Sequence, residues 1–313
     1  MTSASGHLEL TVSSGLAPDV AAQVRGIAEA AEDVDGVSPI DDQVRLDLTH
    51  AAPETESGSG SGKVTHIVAT RDADVVGYAH SRATEDGPLS AHVVVAPTAR
   101  RGGVGTALVT RLVELAGPRG LRVWAHGDDA AARLLCDRLG FARVRDLWQM
   151  RRRLDLPIAP PSYPPDVHVR TFEVGQDEAA WVRVNAAAFA DHPEQGAMTE
   201  DDLQQRIDEP WFDPLGFFLA VRETEVLGFH WTKVHPATPT QPDPMGEVYA
   251  VGVAPGGQGL GLGKALTTTG LLHLRGLGLR EVLLYVDGDN TAAIALYEKL
   301  DFTRHTLDVM YER

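Results

Sequence analysis

Two stretches of the chain show the same order of apolar and polar residues. In the first, AHVVVAP at 91–97 is an apolar run ended by a proline, which predicts a buried strand. Residues 98–117 then turn through glycines into an amphipathic pattern, which predicts a helix. LRVWAH at 121–126 predicts another strand, and AAARLLCDRLGF at 130–141 predicts a short helix that ends at a glycine.

The second stretch repeats these signals in the same order. VYAVGVAP at 248–255 predicts a strand, and a glycine-rich turn at 256–278 runs into a helix. EVLLYVD at 281–287 predicts the next strand, and NTAAIALYEKLDF at 290–302 predicts the last helix.

The spacing between the two stretches indicates an internal duplication. Val95 and Val253 are 158 positions apart, whereas Phe141 and Phe302 are 161 apart, so the second copy has three extra residues between its loop and its last helix. This period is far longer than that of solenoid repeats, and the chain of 313 residues suits two domains. We therefore predict two copies of one domain.

A proline-rich stretch separates the copies. LDLPIAPPSYPPDVHV at 154–169 contains five prolines, which favour extended chain and exclude helix. We predict an N-terminal domain at 1–155, a linker at 156–166 and a C-terminal domain at 167–313. A Ser/Gly/Glu-rich stretch at 52–63 predicts a flexible surface loop within the first domain.

Composition then restricts the kinds of ligand. A net charge of −16 opposes binding to nucleic acid or to anionic membranes. The single cysteine, Cys136, excludes an intramolecular disulfide, and the twelve histidines show no metal-ligand spacing, so we expect no metal. There is no signal-peptide pattern and no apolar run of about 18 residues, so we expect a cytoplasmic protein. An anionic ligand would need backbone N–H groups and a helix N-terminus to hold it.

The glycine loop QGLGLGK at 258–264 fails two nucleotide-binding templates. A P-loop requires Gly at the position of Gln258 and Ser or Thr at that of Ala265. A Rossmann fingerprint beginning at Gly259 requires a glycine where Lys264 stands, and one beginning at Gly261 requires a glycine where Leu266 stands.

Both copies instead match [Q/R]-x-x-G-x-G directly after a strand and at the start of a helix. The matching residues are Arg100, Gly103 and Gly105 in the first copy, and Gln258, Gly261 and Gly263 in the second. Glycine lets the backbone approach closely, and successive N–H groups at a helix N-terminus form an anion nest. Alone, this pattern also suits a glycine turn with only a packing role. The preceding strand, the later N-x-x-A-x-x-x-Y helix and the duplication favour the anion nest.

In this setting the motif resembles the pyrophosphate-binding loop of the GCN5-related N-acetyltransferase (GNAT) family. The resemblance implies an α/β fold with two tandem domains, each a mixed and mostly antiparallel sheet flanked by helices, and acetyl-coenzyme A as co-substrate. The cofactor-binding positions that it implies in the second copy are Val251, Gly252, Val253, Gln258, Gly259, Leu260, Gly261, Leu262, Gly263, Lys264, Asn290, Thr291, Ala292, Ala293, Ile294 and Ala295. Those in the first copy are Val93, Val94, Val95, Arg101, Gly102, Gly103, Val104, Gly105 and Thr106.

The second loop departs from the family pattern in one respect. Family members commonly carry arginines within the loop, whereas Gly259 and Leu260 follow Gln258 here. Two alternatives follow: a lower affinity for the pyrophosphate, or compensation by Lys264 for the missing cationic side chains.

Longer strings resemble tandem members of the family that acetylate the cysteine amine of cysteinyl-glucosaminyl-inositol. They include FADHPEQG at 189–196, LGFHWTKVHP at 227–236 and LLYVDGDNTAAIALYEKLDF at 283–302. The positions that this resemblance assigns to the acceptor are Asp42, Glu194, Lys233, Glu247 and Tyr285. Because Asp42 is in the first copy, the acceptor would lie between the domains. A GNAT enzyme for another amine, such as an aminoglycoside or a protein N-terminus, and a non-catalytic acetyl-coenzyme A sensor remain alternatives.

The resemblance also implies the catalytic roles. Glu247 would take the proton of the amine through water, Tyr297 would protonate the sulfur of coenzyme A, and a backbone N–H within Ala250–Val253 would hold the thioester carbonyl. With the loop and helix offsets, these two side chains align with Leu89 and Cys136 in the first copy. We therefore expect catalysis in the C-terminal domain only, an N-terminal domain that still binds acetyl-coenzyme A, and a monomer that acts on a small molecule.

Overall fold

The structure is a computed structural model that describes residues 6–49, 63–83, 87–190, 193–238 and 241–313. The loop expected at 52–63 lies outside these ranges except for Lys63, and the side chain of Glu194 is also outside the description. Within the described ranges, no helix combines the length and the apolar character that a membrane span requires.

The described residues form strands and helices with the following bounds. The strands are β1 (Leu8–Ser13), β2 (Val64–Arg71), β3 (Asp74–Arg82), β4 (Leu89–Val95), β5 (Leu121–Ala125), β6 (Ala142–Arg153), β7 (His168–Thr171), β8 (Phe217–Arg222), β9 (Glu225–His235), β10 (Met245–Val253), β11 (Glu281–Asp287) and β12 (Thr303–Glu312). The α-helices are α1 (Pro18–Asp35), α2 (Asp42–Thr49), α3 (Val104–Ala116), α4 (Ala130–Arg138), α5 (Glu178–Ala188), α6 (Pro193–Gly196), α7 (Glu200–Ile207), α8 (Leu262–Gly276) and α9 (Thr291–Glu298). Short 3₁₀ turns cover Pro97–Ala99, Gly117–Arg119, His126–Asp128, Pro214–Gly216 and Pro255–Gly257.

The chain divides into two compact units whose boundaries differ from the predicted domains. The first unit contains 1–147 together with 306–313, and the second contains 148–305. The end of β6 therefore belongs to the second unit, and the end of β12 returns to the first.

The first unit is a mixed sheet with the order β1-β2-β3-β4-β5-β12. Pairing is antiparallel except between β4 and β5, which run parallel. One face packs on α3, which buries Val104, Leu108 and Leu112 at helical spacing, while the other face packs on α1. The last strand supplies two residues of this core, Val309 and Tyr311.

The second unit has the corresponding order β7-β8-β9-β10-β11-β6. Strands β10 and β11 run parallel, whereas β7 with β8, β8 with β9 and β9 with β10 are antiparallel. Helices α8 and α9 cover one face, and α5 and α7 cover the other, where Trp181, Phe217 and Trp231 form an aromatic core. The mixed, mostly antiparallel sheet flanked by helices, expected in each copy, is confirmed.

The proline-rich segment has no helix or strand, as expected, but it is packed onto the second unit. The hydroxyl of Tyr163 is 2.6 Å from Oγ1 of Thr269 in α8, and Val167 is buried against Leu262 and Leu266. Arg152 donates hydrogen bonds to the carbonyls of nearby residues, including that of Pro157 at 2.8 Å. This segment therefore forms part of the second unit's core.

A buried histidine explains a glycine in the middle of α8. His230 on β9 is fully buried, and a Cβ atom built on Gly270 would overlap its Nε2 atom. Glycine inside a helix costs about 0.5–1 kcal/mol relative to alanine, so this position is occupied by glycine because the ring needs the space. At Gly276, the last residue of the same helix, a Cβ would meet nothing within 4 Å.

We predict that Gly270→Ala lowers the free energy of unfolding by about 1–3 kcal/mol, because the methyl group overpacks against the His230 ring. In a His230→Ala background the same substitution should be neutral or stabilising, since the ring is gone. Gly276→Ala is the matched control and should stabilise slightly through helix propensity. Urea denaturation of the four variants measures this coupling, and equal costs of Gly270→Ala in both backgrounds would contradict it.

Candidate active site

The two glycine loops have the same backbone conformation. Gly259 and Gly261 have φ of +78° and +75°, and their counterparts Arg101 and Gly103 have φ of +62° and +81°. Of these four loop residues, Arg101 alone carries a side chain in the left-handed region, where glycine is favoured. The duplication predicted from sequence thus extends to individual dihedral angles.

Both loops lead into helices whose first turns lack a side-chain cap. Gly261 stands at the N-cap of α8 and Gly103 at that of α3, and neither helix start has a capping hydrogen bond from a side chain. By contrast, Asn290 caps α9 through a bond of 3.1 Å to the N–H of Ala293. The first N–H groups of α8 and α3 are therefore available to an anion, and these loops fit a pyrophosphate.

The side chains at the two loops differ. Arg100 forms a bidentate ion pair with Asp35, at 2.6 and 2.7 Å, so its charge is already engaged by the protein. Gln258 and Lys264 are exposed. In the second loop, Lys264 is the cation placed nearest to the α8 N-terminus in sequence.

A β-bulge distinguishes the strand before the second loop. On β10, Val248 pairs with Thr232 and Ala250 pairs with Trp231, which leaves Tyr249 as an extra residue. The corresponding pairing of β4 with β3 is continuous. The offset between the copies is therefore 157 before the bulge and 158 after it.

This bulge corrects the alignment of Glu247. Glu247 pairs with Lys233 and with Leu283, and the residue in the same place on β4 is Ser90, which pairs with Arg82 and Arg122. The counterpart is thus Ser90 and not Leu89. The sequence alignment applied the loop offset of 158 to Glu247, but Glu247 precedes the extra residue Tyr249, where the offset is 157. Like Leu89, Ser90 cannot act as a carboxylate base.

Strands β10 and β11 separate directly after this point. Their parallel pairing covers Gly246, Glu247 and Val248 of β10, whereas pairing of β10 with β9 continues to Val253. From Ala250 onward one edge of β10 is therefore not covered by β11, and alternate backbone groups point to that edge. The gap lies where a backbone N–H would hold a carbonyl oxygen.

Glu247 lies on the α5 and α7 face of the sheet. Its neighbour Val248 packs with the α8 and α9 core, so alternation along the strand points Glu247 to the opposite face. Its side chain is 9% exposed, and Oε2 lies 2.6 Å from Nε2 of His235. His235 is not among the residues predicted from the sequence. Its position at the end of the WTKVH stretch is the sequence feature that could have pointed to it.

Lys233, directly opposite Glu247, lies in an aromatic setting. Its Nζ is 4.5 Å from the centre of the Trp211 ring and 5.3 Å from that of Tyr249. The bulge places Tyr249 here, and Arg206 on α7 donates a hydrogen bond of 2.9 Å to its hydroxyl. The sequence analysis missed Trp211 and Arg206 because helices and loops far from the glycine motif supply them.

Tyr297 lies on the other side of the sheet. It is buried in the core that α9 shares with Val248 and Leu284, and it packs edge-on against Phe302. Burial raises the pKa of Tyr297 to about 12, so the phenol is neutral near pH 7 and can donate a proton. Among the described residues its hydroxyl has no hydrogen-bond partner.

Of the other residues predicted to contact the acceptor, only Tyr285 is described on the same face of the sheet as Glu247. Tyr285 is 43% exposed, two residues beyond the partner of Glu247 on β11, and its hydroxyl accepts a bond of 2.9 Å from Gln149. Glu247, Lys233 and Tyr285 therefore share one face. Asp42 begins α2 in the first unit, and the side chain of Glu194 is outside the description.

In the first unit, histidines occupy the space where β4 and β5 separate. His92 and His126 stack with ring centres 5.4 Å apart, and Nδ1 of His92 is 3.2 Å from Nε2 of His126. Asp41 lies 3.3 Å from the other nitrogen of His92, and Asp308 lies 2.9 Å from that of His126. The counterpart of Tyr297 is the buried thiol of Cys136. Neither member of the acid–base pair is present in this unit.

Comparison with known proteins agrees with this geometry. The model described as "Acetyltransferase (GNAT) family" matches residues 181–302, and that described as "Acetyltransferase (GNAT) domain" matches 62–143. A protein of Geodermatophilus obscurus named mycothiol acetyltransferase is 50% identical, with 95% of this chain and 96% of that protein covered. The chain belongs to the mycothiol acetyltransferase family. A second member, from Thermomonospora curvata, is 51% identical, with 97% of both chains covered.

Solved structures agree on the fold. A tandem GNAT protein of the clavulanic acid biosynthesis pathway has a TM-score of 0.72 at 18% identity, with 97% of this chain and 98% of that chain covered. A GNAT protein from Sphaerobacter thermophilus has a TM-score of 0.67 at 24% identity, with 97% and 95% covered. The chain is thus an N-acetyltransferase with two GNAT domains, as the sequence predicts.

Buried histidines make stability depend on pH. Burial lowers the pKa of His66 to about 4 and that of His230 to about 3. Between these values and the usual pKa near 6.5, the unfolded chain binds protons that the folded protein does not. Stability should therefore fall as the pH falls through 6.5, by about 1.4 kcal/mol per pH unit for each histidine at the steepest.

We predict that the free energy of unfolding decreases steadily between pH 6.5 and 4.5, as measured by urea denaturation at fixed ionic strength. His66→Gln should reduce this slope, because an amide can keep the bond to the Tyr78 hydroxyl, 2.7 Å from Nδ1, without titrating. A slope equal to that of the unsubstituted protein would contradict the assignment to His66.

Proposed function

We propose that the protein transfers the acetyl group of acetyl-coenzyme A to the cysteine amine of desacetylmycothiol, which gives mycothiol and coenzyme A. The observation that carries this proposal is the placement of Glu247 and Tyr297 on opposite faces of one sheet, with Glu247 in the last stretch where β10 pairs with β11. A base on one face and an acid on the other suit a thioester held in the gap. Family membership and the names of the relatives support the choice of acceptor.

The second loop would hold the co-substrate through backbone groups. The N–H groups at the start of α8 and the left-handed residues Gly259 and Gly261 face a pyrophosphate, and Lys264 adds a positive charge. In a protein with a net charge of −16 these local donors must provide the attraction. An N–H within Ala250–Val253 would stabilise the carbonyl oxygen as negative charge develops on it.

The chain's own residues would move two protons in each turnover. Glu247 takes a proton from the amine through water, so that the nitrogen lone pair attacks the carbonyl carbon. A carbon–nitrogen bond forms and the carbon–sulfur bond breaks. Tyr297 gives its proton to the departing thiolate, and its neutral phenol is the form that burial favours.

The acceptor is a polyol amine, which suits a face with carboxylate and hydrogen-bonding groups. Glu247, Lys233 and Tyr285 lie on that face, and α6, which carries Glu194, is joined to the neighbouring α5 by a bond of 2.6 Å from Asn185 to the Gln195 carbonyl. Contacts of Asp42 and Glu194 with the acceptor stay predictions. We further propose that the first unit binds acetyl-coenzyme A without turning it over.

We predict that Glu247→Gln lowers kcat by about 10²-fold at pH 7, and that Tyr297→Phe lowers it by roughly tenfold or more. The loss at Glu247 should shrink above pH 8, because the amine has a pKa of about 7.7–8.0 and is then largely neutral without a base. Thiol release from acetyl-coenzyme A in the presence of desacetylmycothiol measures both.

The first unit provides matched controls, Ser90→Ala and Cys136→Ala, which alter the counterparts of the same two positions. Both should keep the original kcat. Wild-type turnover in Glu247→Gln at pH 7 would overturn the base assignment, and faster thiol release with an aminoglycoside or a peptide N-terminus would overturn the acceptor.

We also predict that Lys264→Ala weakens acetyl-coenzyme A binding about tenfold, because an exposed cation beside the loop is removed. Isothermal calorimetry measures the affinity, and Lys299→Ala, an exposed lysine at the far end of α9, is the control. Equal affinities for the two variants would show that Lys264 does not replace the missing loop arginines.

A further inference from the structure

The carboxylate of Glu247 forms a hydrogen bond with His235, which takes no part in the proton transfers proposed for Glu247 and Tyr297. Nε2 of His235 lies 2.6 Å from Oε2 of Glu247, within the range of a charge-assisted hydrogen bond. The Glu247 side chain is 9% exposed, whereas that of His235 is 36% exposed. A nearly buried carboxylate is thus joined to a ring that reaches solvent.

The strand register produces this contact. Glu247 is directly opposite Lys233 on β9, and His235, two residues further along, is opposite Met245. His235 and Glu247 are therefore diagonal neighbours on the same face of an antiparallel pair, within reach of long side chains. The contact belongs to regular sheet geometry and not to a loop.

The chemistry of the two groups fixes the direction of the bond. An ionised carboxylate only accepts hydrogen bonds, so Nε2 of His235 must carry the hydrogen and donate it to Oε2. A bond to one oxygen fixes the rotation of the carboxylate. The other oxygen, Oε1, is then turned away from His235.

We propose that His235 is the positioning residue of Glu247: its Nε2–H holds the carboxylate in one orientation, so that Oε1 receives the proton of the acceptor amine. This proposal rests on the proposed function, in which Glu247 is the base. His235 itself touches neither the amine nor the thioester.

Other polar groups also face Glu247 from the neighbouring elements. They are Lys233 on β9, Tyr249 on β10, with Arg206 of α7 bonded to its hydroxyl, and Tyr285 on β11. His235 forms a direct bond of 2.6 Å to the carboxylate.

His235→Ala should lower kcat about tenfold and leave the affinity for acetyl-coenzyme A unchanged. His235→Gln places an amide N–H where Nε2 lies, and it should restore most of kcat. His168→Ala, an exposed histidine at the start of β7, is the matched control and should resemble the unsubstituted protein.

A double-mutant cycle separates this proposal from the one that it rests on. Because His235 acts through Glu247, His235→Ala should cause no further loss of kcat in a Glu247→Gln background. If Glu247→Gln alone keeps full activity, the proposed base is wrong. If Glu247→Gln is impaired but His235→Ala keeps the original kcat, or if the two losses multiply, the positioning role is overturned.

Discussion

Beyond Val248, β10 keeps its backbone hydrogen bonds to β9 and gives up those to β11. Buried backbone groups almost always find partners, so an uncovered strand edge next to a hydrophobic core calls for a ligand that can pair with it. An acetyl thioester with a carbonyl oxygen and an extended amide-containing arm is such a ligand. The extra residue at Tyr249 lies where this edge begins, and it also brings an aromatic ring beside Lys233. One inserted residue therefore shapes both sides of the site.

The first unit has the same strand order as the second but different side chains at the positions of the candidate site. Where the second unit has Ala250 and Asp287, the first has His92 and His126, whose rings stack between Asp41 and Asp308. Each nitrogen in that row has a partner, so the hydrogen bonds of the row are satisfied within the protein. The loop dihedrals nonetheless remain alike in the two copies. The loop conformation is thus kept in both copies, while the residues at the positions of Glu247 and Tyr297 differ between them.

Much of the fold follows from local patterns in the sequence. The apolar runs before Pro97 and Pro255 and the amphipathic stretches after the glycines predicted β4, β10, α3 and α8, because alternation and helical spacing act within a few residues. Glu247 and Tyr297 came from the family resemblance. An alignment of the two copies with one constant offset could not detect the bulge at Tyr249. The contact between His235 and Glu247 depends on the register of β9 and β10. Such contacts join residues through pairing that no short pattern encodes.

The assignment of 306–313 to the first unit has a consequence for how the chain is made. Val309 and Tyr311 belong to a core whose other members precede residue 142, and Asp308 supplies the last carboxylate of the histidine row. During synthesis these residues follow all of those of the second unit. The first unit to emerge is therefore the one that must wait longest for its final strand, while all of the residues of the second, 148–305, have been synthesised before that strand. The sheet of the first unit therefore cannot be completed until the second unit has been synthesised.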